Sequence, residues 1–259
     1  MTAPSEALTH MDDHELAATI AEEAGRLLLA LRPTIEDPTA LKAAGDAQAN
    51  VLILDRLHAA RPDDAILSEE SADDLDRLNH ERVWIVDPLD GTREYGELDR
   101  DDWAVHVALS VGGVACIGAV ALPAQGLVMV SEPAPSLATA RGGAPRLVVS
   151  RTRPPAITET LQLALEADLV PMGSAGAKAM AILQGRADIY AHAGGQYQWD
   201  SAAPVAVAAA AGLHVSRLDG APLVYNDAER SLPDLLICRP EYAAAVIEVT
   251  HGRAQSEDL

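Results

Sequence analysis

Five acidic residues sit where the chain passes from an apolar run into a turn, or from a turn into a helix. Glu69-Glu70 follow "AILS", Asp87 and Asp90 follow "VWIV", and Asp200 lies in "YQWDSAAP". In a layered fold the ends of neighbouring strands converge on one edge, where ligands bind. Four or five carboxylates gathered there cannot all stay ionised without a cation. No Cys or His accompanies them, so hard oxygen ligands point to Mg²⁺ rather than zinc. Gly91-Thr92 follows Asp90 directly. Glycine permits close approach of a ligand, and free N–H groups after a tight turn bind phosphate oxygens. Carboxylates for a metal beside N–H groups for phosphate suggest metal-assisted phosphoryl transfer to water.

Taken singly, most of these residues have an ordinary explanation. Glu69-Glu70 could be a solvated loop pair. Asp90 could cap the turn at Gly91, and Asp200 could be the N-cap of an Ala-rich helix starting at Ser201. Asp87 is harder to dismiss, because it follows four apolar strand residues where a lone buried carboxylate is costly. The case rests on the combination.

The elements that must position these residues can be read from periodicity. "DDHELAATIAEEAGRLLLALRP" reads as an amphipathic helix capped at Asp12 and stopped by Pro33, after a polar, mobile stretch over 1–10. Residues 33–45 read as a Pro-, Gly- and Ala-rich loop able to move over a site, with a second helix from Asp46 to Arg61. "AILS" and "VWIV" are strands. "WAVHVALSV", "VACIGAVAL" and "GLVMVSE" form an antiparallel meander. Beyond a boundary near residue 145, strands and helices alternate: "RLVVS", a helix over 155–167, "LVPMG", "SAGAKAMAILQG", "ADIYAH", "DSAAPVAVAAAAG", "LHVSRL", "DLLICR" and "PEYAAAVIEVT". This pattern argues for a layered α/β fold. It divides into an N-terminal α+β half (1–145) with most metal ligands and a C-terminal α/β half (146–259) that supplies Asp200 and nucleotide-side contacts.

The 259 residues are 49% hydrophobic but only 3% aromatic, with no Phe. Packing therefore rests on Leu, Val, Ile and many Ala. A formal charge of −20 disfavours nucleic acid and anionic membranes as partners. An anionic substrate would need a cation at the site to offset that field. The only two lysines are Lys42, in the expected loop, and Lys178. Cys116 and Cys238 read as buried small hydrophobes. No signal pattern or membrane-length apolar run is evident, which suggests a cytoplasmic protein. The apolar antiparallel strands could support a homodimer.

The strand ending in "DPLDGT", the upstream "SEES" and the downstream "WDSAAPVAVAAAAG" resemble the inositol monophosphatase superfamily, in the same order along the chain. The resemblance runs from about Asp46 to Arg239. It implies a five-layered α-β-α-β-α sandwich and a Mg²⁺-dependent, lithium-sensitive phosphomonoesterase with two to three ions per site. The implied ligands are Glu69, Asp87, the Leu89 carbonyl, Asp90 and Asp200. Asp87 would bridge two ions, and Glu69 would also help hold a third. Asp46, at the expected second helix start, would pair with Thr92 to orient the attacking water, so Asp46, Thr92 and Glu69 carry the catalytic roles. The family usually has Thr three residues before that aspartate, whereas this chain has Ala43.

Within the superfamily the likeness is strongest to the branch of CysQ-type 3′-phosphoadenosine-5′-phosphate phosphatases. "DPLDGTREY", "VVSRTR", "MGSAGAKAMAILQG" and "LDGAPLVYN" carry it. Inositol-specific members have Glu seven residues before the Trp-Asp aspartate. Here that position is Ala193, and Ala193-Gly194-Gly195 leave room for a nucleoside. The resemblance implies hydrolysis of the 3′-phosphate of the bisphosphorylated nucleotide to AMP and phosphate, with the 3′-phosphorylated sulfate donor as a second substrate, in sulfate assimilation. Gly91, Thr92, Arg93, Ser174, Lys178 and Tyr197 are the expected substrate contacts, while Trp199 reads as core. Fructose-1,6-bisphosphatase or inositol monophosphatase activity is the alternative of the same class. A non-catalytic metal and nucleotide sensor is the alternative of another. A covalent aspartyl enzyme needs aspartates spaced i, i+2, and here the spacing is i, i+3.

Overall fold

The computed structural model describes residues 8–73 and 75–257. Helix α1 (Asp13–Leu31) is capped as its sequence predicts, with the Asp12 carboxylate accepting the Glu15 N–H at 2.9 Å. Of the stretch expected to be mobile, residues 1–7 lie outside the described residues, and Leu8 is buried in the core. Helix α2 (Pro38–Ala60) starts eight residues before the expected Asp46. Asp37 is its N-cap, accepting the Ala40 N–H at 2.7 Å, and Pro38 takes the first turn, where a missing N–H costs nothing. The Pro, Gly and Ala read as loop residues are therefore a helix start and its first turns. Gly45 suits this helix because a Cβ there would meet Tyr95 at 2.8 Å. Asp46 is thus mid-helix, and Lys42 rides on the same helix rather than on a mobile loop.

The first sheet contains β1 (Ala65–Ser68), β2 (Arg82–Asp90), β3 (Ala104–Val111), β4 (Val114–Leu122) and β5 (Leu127–Val130), in that spatial order. β1 and β2 are parallel, and the others form the expected meander. A one-turn helix, α3 (Thr92–Gly96), follows β2. The second sheet runs β7 (Asp168–Met172), β6 (Arg146–Ser150), β8 (Ile189–Tyr197), β10 (Ser231–Cys238) and β9 (His214–Ser216). Its helices are α4 (Ile157–Leu165), α5 (Ala175–Leu183), α6 (Gln198–Ala210) and α7 (Pro240–Glu257).

Strand periodicity explains the layering. Successive side chains of a strand face opposite ways. On β2, Trp84 and Val86 join a core with α1 and α2, whereas Val83 and Ile85 join a second core with α5 and α6. On β6, Val148 joins that second core, and Leu147 and Val149 pack with α4 and α7 in a third. Both faces of both sheets are therefore covered, giving the α-β-α-β-α sandwich. The middle layer is thin because α6 is mostly Ala and Val beyond its first turn. It approaches β4 so closely that a Cβ on Gly118 would lie 2.5 Å from the Ala203 carbonyl oxygen. That coverage does not extend to the start of β4, where Cys116 is exposed rather than buried as its apolar neighbours suggested. Cys238 is buried.

Gly118→Ala should lower unfolding stability by about 1–3 kcal/mol, because backbone rather than a pliable side chain blocks the new methyl. Gly142→Ala, where a Cβ meets nothing within 4 Å, should stay within about 0.5 kcal/mol. Urea unfolding of both variants checks the close helix–sheet contact, and equal midpoints would contradict it.

Candidate active site

Parallel pairing puts the C-terminal ends of β1 and β2 side by side, so Glu69 comes out beside the Asp87–Asp90 stretch. Residues three apart on a regular strand point to opposite faces. Here β2 is bulged. Asp87 pairs with His106 and Asp90 with Ala104, so three steps on β2 match two on β3. Pro88 supplies no ladder N–H, and the Leu89 N–H turns to the Asp87 carboxylate at 3.0 Å. The bulge brings both aspartates to one place. Asp200 arrives from the other half on the first turn of α6, as its third residue rather than its cap, and accepts the Tyr197 N–H at 2.6 Å. One carboxylate oxygen from each of Asp87, Asp90 and Asp200 lies within 4.8 Å of the others.

These carboxylates are not equivalent. Asp87 is fully buried, and burial first, then Glu69, Asp90 and Asp200, push its pKa well up. Burial and the neighbouring Asp90 raise Asp200 to about 7. Burial also raises Glu69 to about 7, although it shares a hydrogen bond with Asp87. Glu69 is on the exposed turn after β1, yet its carboxyl leans into the cluster. Asp90 goes the other way. Burial works to raise it, but His106, Lys178 and Ser174 together hold it below the usual carboxylate range. It accepts the Ser174 hydroxyl at 2.5 Å and the Ala175 and Gly176 N–H groups at 3.0 and 2.7 Å, at the start of α5. Hard-oxygen groups that keep protons because they are buried and crowd one another suit a divalent cation.

Asp46 projects from α2 beside Thr92. Burial and Glu70 raise it to about 7, against a Thr92 hydrogen bond and the charge of Lys42. The Thr92 hydroxyl also donates to the Leu89 carbonyl at 3.1 Å, so its one hydrogen has two acceptors. Gly91 has a φ of +84°, a left-handed conformation that permits the tight turn before α3.

A cavity of about 300 Å³ opens from Asp90, Asp200, Gly91 and Thr92 towards Ser150, Arg153 and Gln196. Arg93 and Arg153 line it exposed, with no side-chain ion pair among the described residues. Lys178 lines it too, but is buried: its Nζ donates to the Ser174 and Gly173 carbonyls at 2.7 and 3.2 Å and lies over the Tyr190 ring. Burial lowers its pKa, opposed by Asp90 and Asp200. Ser174 also lines the cavity, with its hydroxyl committed to Asp90. Tyr197 is not among the lining residues; 44% exposed, it stacks on the buried Trp199 with centroids 4.8 Å apart. A Cβ at Gly194 or Gly195 would meet nothing within 4 Å, so the rim there is open.

Several residues of this site escape sequence reasoning. Asn50, one turn along α2 from Asp46, accepts the Ser68 hydroxyl at 2.7 Å and donates to Ser71, fixing the turn that carries Glu69. Its signal is the i, i+4 spacing from Asp46. Glu94 does not face the cavity alone. It pairs with Arg151 at 2.6 Å, which also binds Glu97, joining "DGTREY" to "VVSRTR". Asp102 accepts the Gly173 N–H at 2.6 Å. His106, completely buried, lies 3.2 Å from Asp90 and 3.0 Å from the Trp199 carbonyl oxygen. A lone His in an apolar strand was the only hint of it.

The model of the inositol monophosphatase family matches residues 14–251. The chain is 49% identical over 253 residues to the 3′-phosphoadenosine 5′-phosphate phosphatase of Mycobacterium leprae, covering 92% of this chain and 93% of that one. It is 32% identical over 201 residues to the 3′(2′),5′-bisphosphate nucleotidase CysQ of Escherichia coli, covering 73% and 81%. The crystal structure of CysQ from Bacteroides thetaiotaomicron superposes with a TM-score of 0.74 at 25% identity, over 89% of this chain and 98% of that one.

The raised carboxylates set a sign for stability. Between the ordinary carboxylate pKa near 4 and the folded values near 7, the folded chain binds more protons than the unfolded one. Stability of the metal-free protein therefore falls as pH rises through that window. In chelator, the thermal midpoint should drop by about 5 °C or more from pH 5 to pH 8. Added Mg²⁺ should raise it more at pH 8 than at pH 5, because protons and metal compete for the same oxygens. Differential scanning calorimetry checks this; a Mg²⁺ effect equal at both pH values would contradict it.

Proposed function

The chain belongs to the inositol monophosphatase family, and from that premise we propose that it is a Mg²⁺-dependent phosphatase removing the 3′-phosphate of 3′-phosphoadenosine-5′-phosphate to give AMP and phosphate. The observation that carries this reading is a single cavity with two kinds of wall. Clustered carboxylates and the Gly91-Thr92 turn form one side, and Arg93, Arg153 and Lys178 are the cations among the residues that line the rest. A substrate with two phosphates and a nucleoside between them matches both walls. The names of the relatives support the same substrate. The 3′-phosphorylated sulfate donor is a second substrate on this reading, and the role belongs to sulfate assimilation.

Glu69, Asp87, Asp90, Asp200 and the Leu89 carbonyl would hold two to three divalent ions. When bound, these ions neutralise the carboxylates, supply a nucleophilic water and stabilise the leaving oxygen. The chain's own residues do the rest. The Gly91 and Thr92 amides hold the phosphate oxygens. Asp46 accepts the Thr92 hydroxyl hydrogen, which leaves the Thr92 oxygen to accept a hydrogen of the attacking water and so orient it. Arg93 and Lys178 offset the −20 field for an incoming polyanion.

On this reading the half 1–145 carries most of the metal ligands, and the half 146–259 supplies Asp200 and the nucleotide-side contacts. Ser174 acts through Asp90, while Tyr197, stacked on Trp199 outside the cavity lining, is left without a role in substrate contact. The described residues include no helix long and apolar enough to cross a membrane; we place the enzyme in the cytoplasm, with lithium as an inhibitor. The exposed Leu127 on the outer strand β5 offers a face for a homodimer.

Asp46→Asn and Thr92→Ala should each reduce kcat by about 10²–10⁴-fold with KM within a few-fold of the parent. Chelation should abolish turnover. Initial rates on the bisphosphorylated nucleotide, inositol monophosphate and fructose bisphosphate should give the highest kcat/KM for the nucleotide. A preference for inositol monophosphate would sink the substrate assignment.

A further inference from the structure

His106 is a buried histidine that the mechanism above does not use, and three elements that build the site meet at its ring. It projects from β3. Its Nδ1 lies 3.0 Å from the carbonyl oxygen of Trp199, the residue before Asp200 on α6. Since a carbonyl only accepts, Nδ1 carries a hydrogen and donates it. Its Nε2 lies 3.2 Å from Asp90 Oδ2, off the line of a good hydrogen bond but within ion-pair range. The ring meets the start of α5 edge-on, its Nε2 turned towards Gly176, where a Cβ would come within 2.1 Å. That α5 turn supplies the Ala175 and Gly176 amides to Asp90.

We propose that His106 is a positioning residue of the metal site, fixing Asp90 of the first sheet and, through the Trp199 carbonyl, Asp200 of α6 at the spacing a shared cation requires. The two ligands come from different halves of the chain, 110 residues apart in sequence. Neither strand pairing nor helix hydrogen bonding relates them directly. The imidazole is a rigid spacer with one contact on each side. Groups that orient ligating carboxylates typically change metal affinity by about 10–100-fold when removed.

The inference rests on the carboxylate cluster being a cation site and not on the identity of the nucleotide. Two substitutions separate the two contacts. His106→Gln reaches as far as Nε2 and keeps a donor towards Asp90. His106→Asn reaches only as far as Nδ1 and keeps a donor towards Trp199. His106→Leu keeps neither. The experiment is Mn²⁺ binding to metal-free protein without nucleotide, followed by electron paramagnetic resonance, with the thermal midpoint of each metal-free variant recorded alongside.

Positioning predicts Mn²⁺ binding weakened by about 10–100-fold in His106→Leu, with part of the loss recovered by Gln and part by Asn. The recovery should not follow the order of thermal midpoints. Affinities within about 3-fold of the parent in the Gln and Asn variants and in Leu overturn the proposal. So does a loss that tracks the thermal midpoints across the series. If Leu does not fold, the Gln and Asn pair decides: at least one must fall more than about 3-fold, at a thermal midpoint close to that of the other. A parent protein that binds no Mn²⁺ overturns the cation site itself, and this inference with it.

Discussion

The start of α5 is held by a carboxylate from another layer. Asp90 ends β2 in the first sheet, but its hydrogen-bond donors are the Ser174 hydroxyl and the Ala175 and Gly176 amides. Those amides are among the groups that a helix start leaves without partners, and the helix dipole favours an anion there. One interaction therefore caps the helix, docks the middle layer on the first sheet and keeps a site carboxylate ionised. Losing it would leave orphan amides on one side and an uncompensated buried charge on the other. Fold and site share this contact, so the site cannot loosen without loosening the sandwich.

The same turn is gripped from its other flank. Asp102 takes the Gly173 N–H, and the Glu94 side chain lies so close that a Cβ on Gly173 would meet it at 2.3 Å. Glu94 is in turn held by Arg151 at the end of β6. Ser174 sits between these anchors at a φ of +45°, a conformation that costs a non-glycine residue on the order of 1–3 kcal/mol. Such strain persists only where the surroundings over-determine it. Here the Asp90 bond, the Ala177 N–H donated to the Ser174 hydroxyl and the Lys178 ammonium on the Ser174 carbonyl do so. Lys178 is buried where carbonyls and carboxylates converge, and Asp90 and Asp200 favour its charge against that burial.

Sequence patterns reveal the strands, the meander and the carboxylate set, because burial on both sheet faces leaves long apolar runs that end at the site. They misplace Asp46. "DPTALKAAGD" carries Asp, Pro, Thr and Gly, all common in loops, and only the Asp-Pro pair at its start marks it as a helix. They cannot place Glu94, whose partner Arg151 is 57 residues away and is brought near by a crossing between halves. They cannot show the bulge in β2 either, although Pro88 hints at it, and without the bulge Asp87 and Asp90 would face opposite ways. His106 is the extreme case: a polar residue in an apolar strand has a partner, but nothing local says which.

Asymmetry among the carboxylates follows from where their compensation comes from. Asp90 is satisfied by the protein itself, by a helix start, a hydroxyl, an imidazole and a lysine. Asp87 has only the Leu89 N–H and a neighbouring carboxyl. Asp200 has a single backbone N–H. On the proposed reading, the protons of Asp87, Glu69 and Asp200 would be the ones a cation displaces, while Asp90 would serve as a fixed anion against which it is located. A site built from four equally strained carboxylates would repel itself apart when empty. One with a permanently compensated member would keep its geometry, leaving the other three to change protonation with the proposed cation.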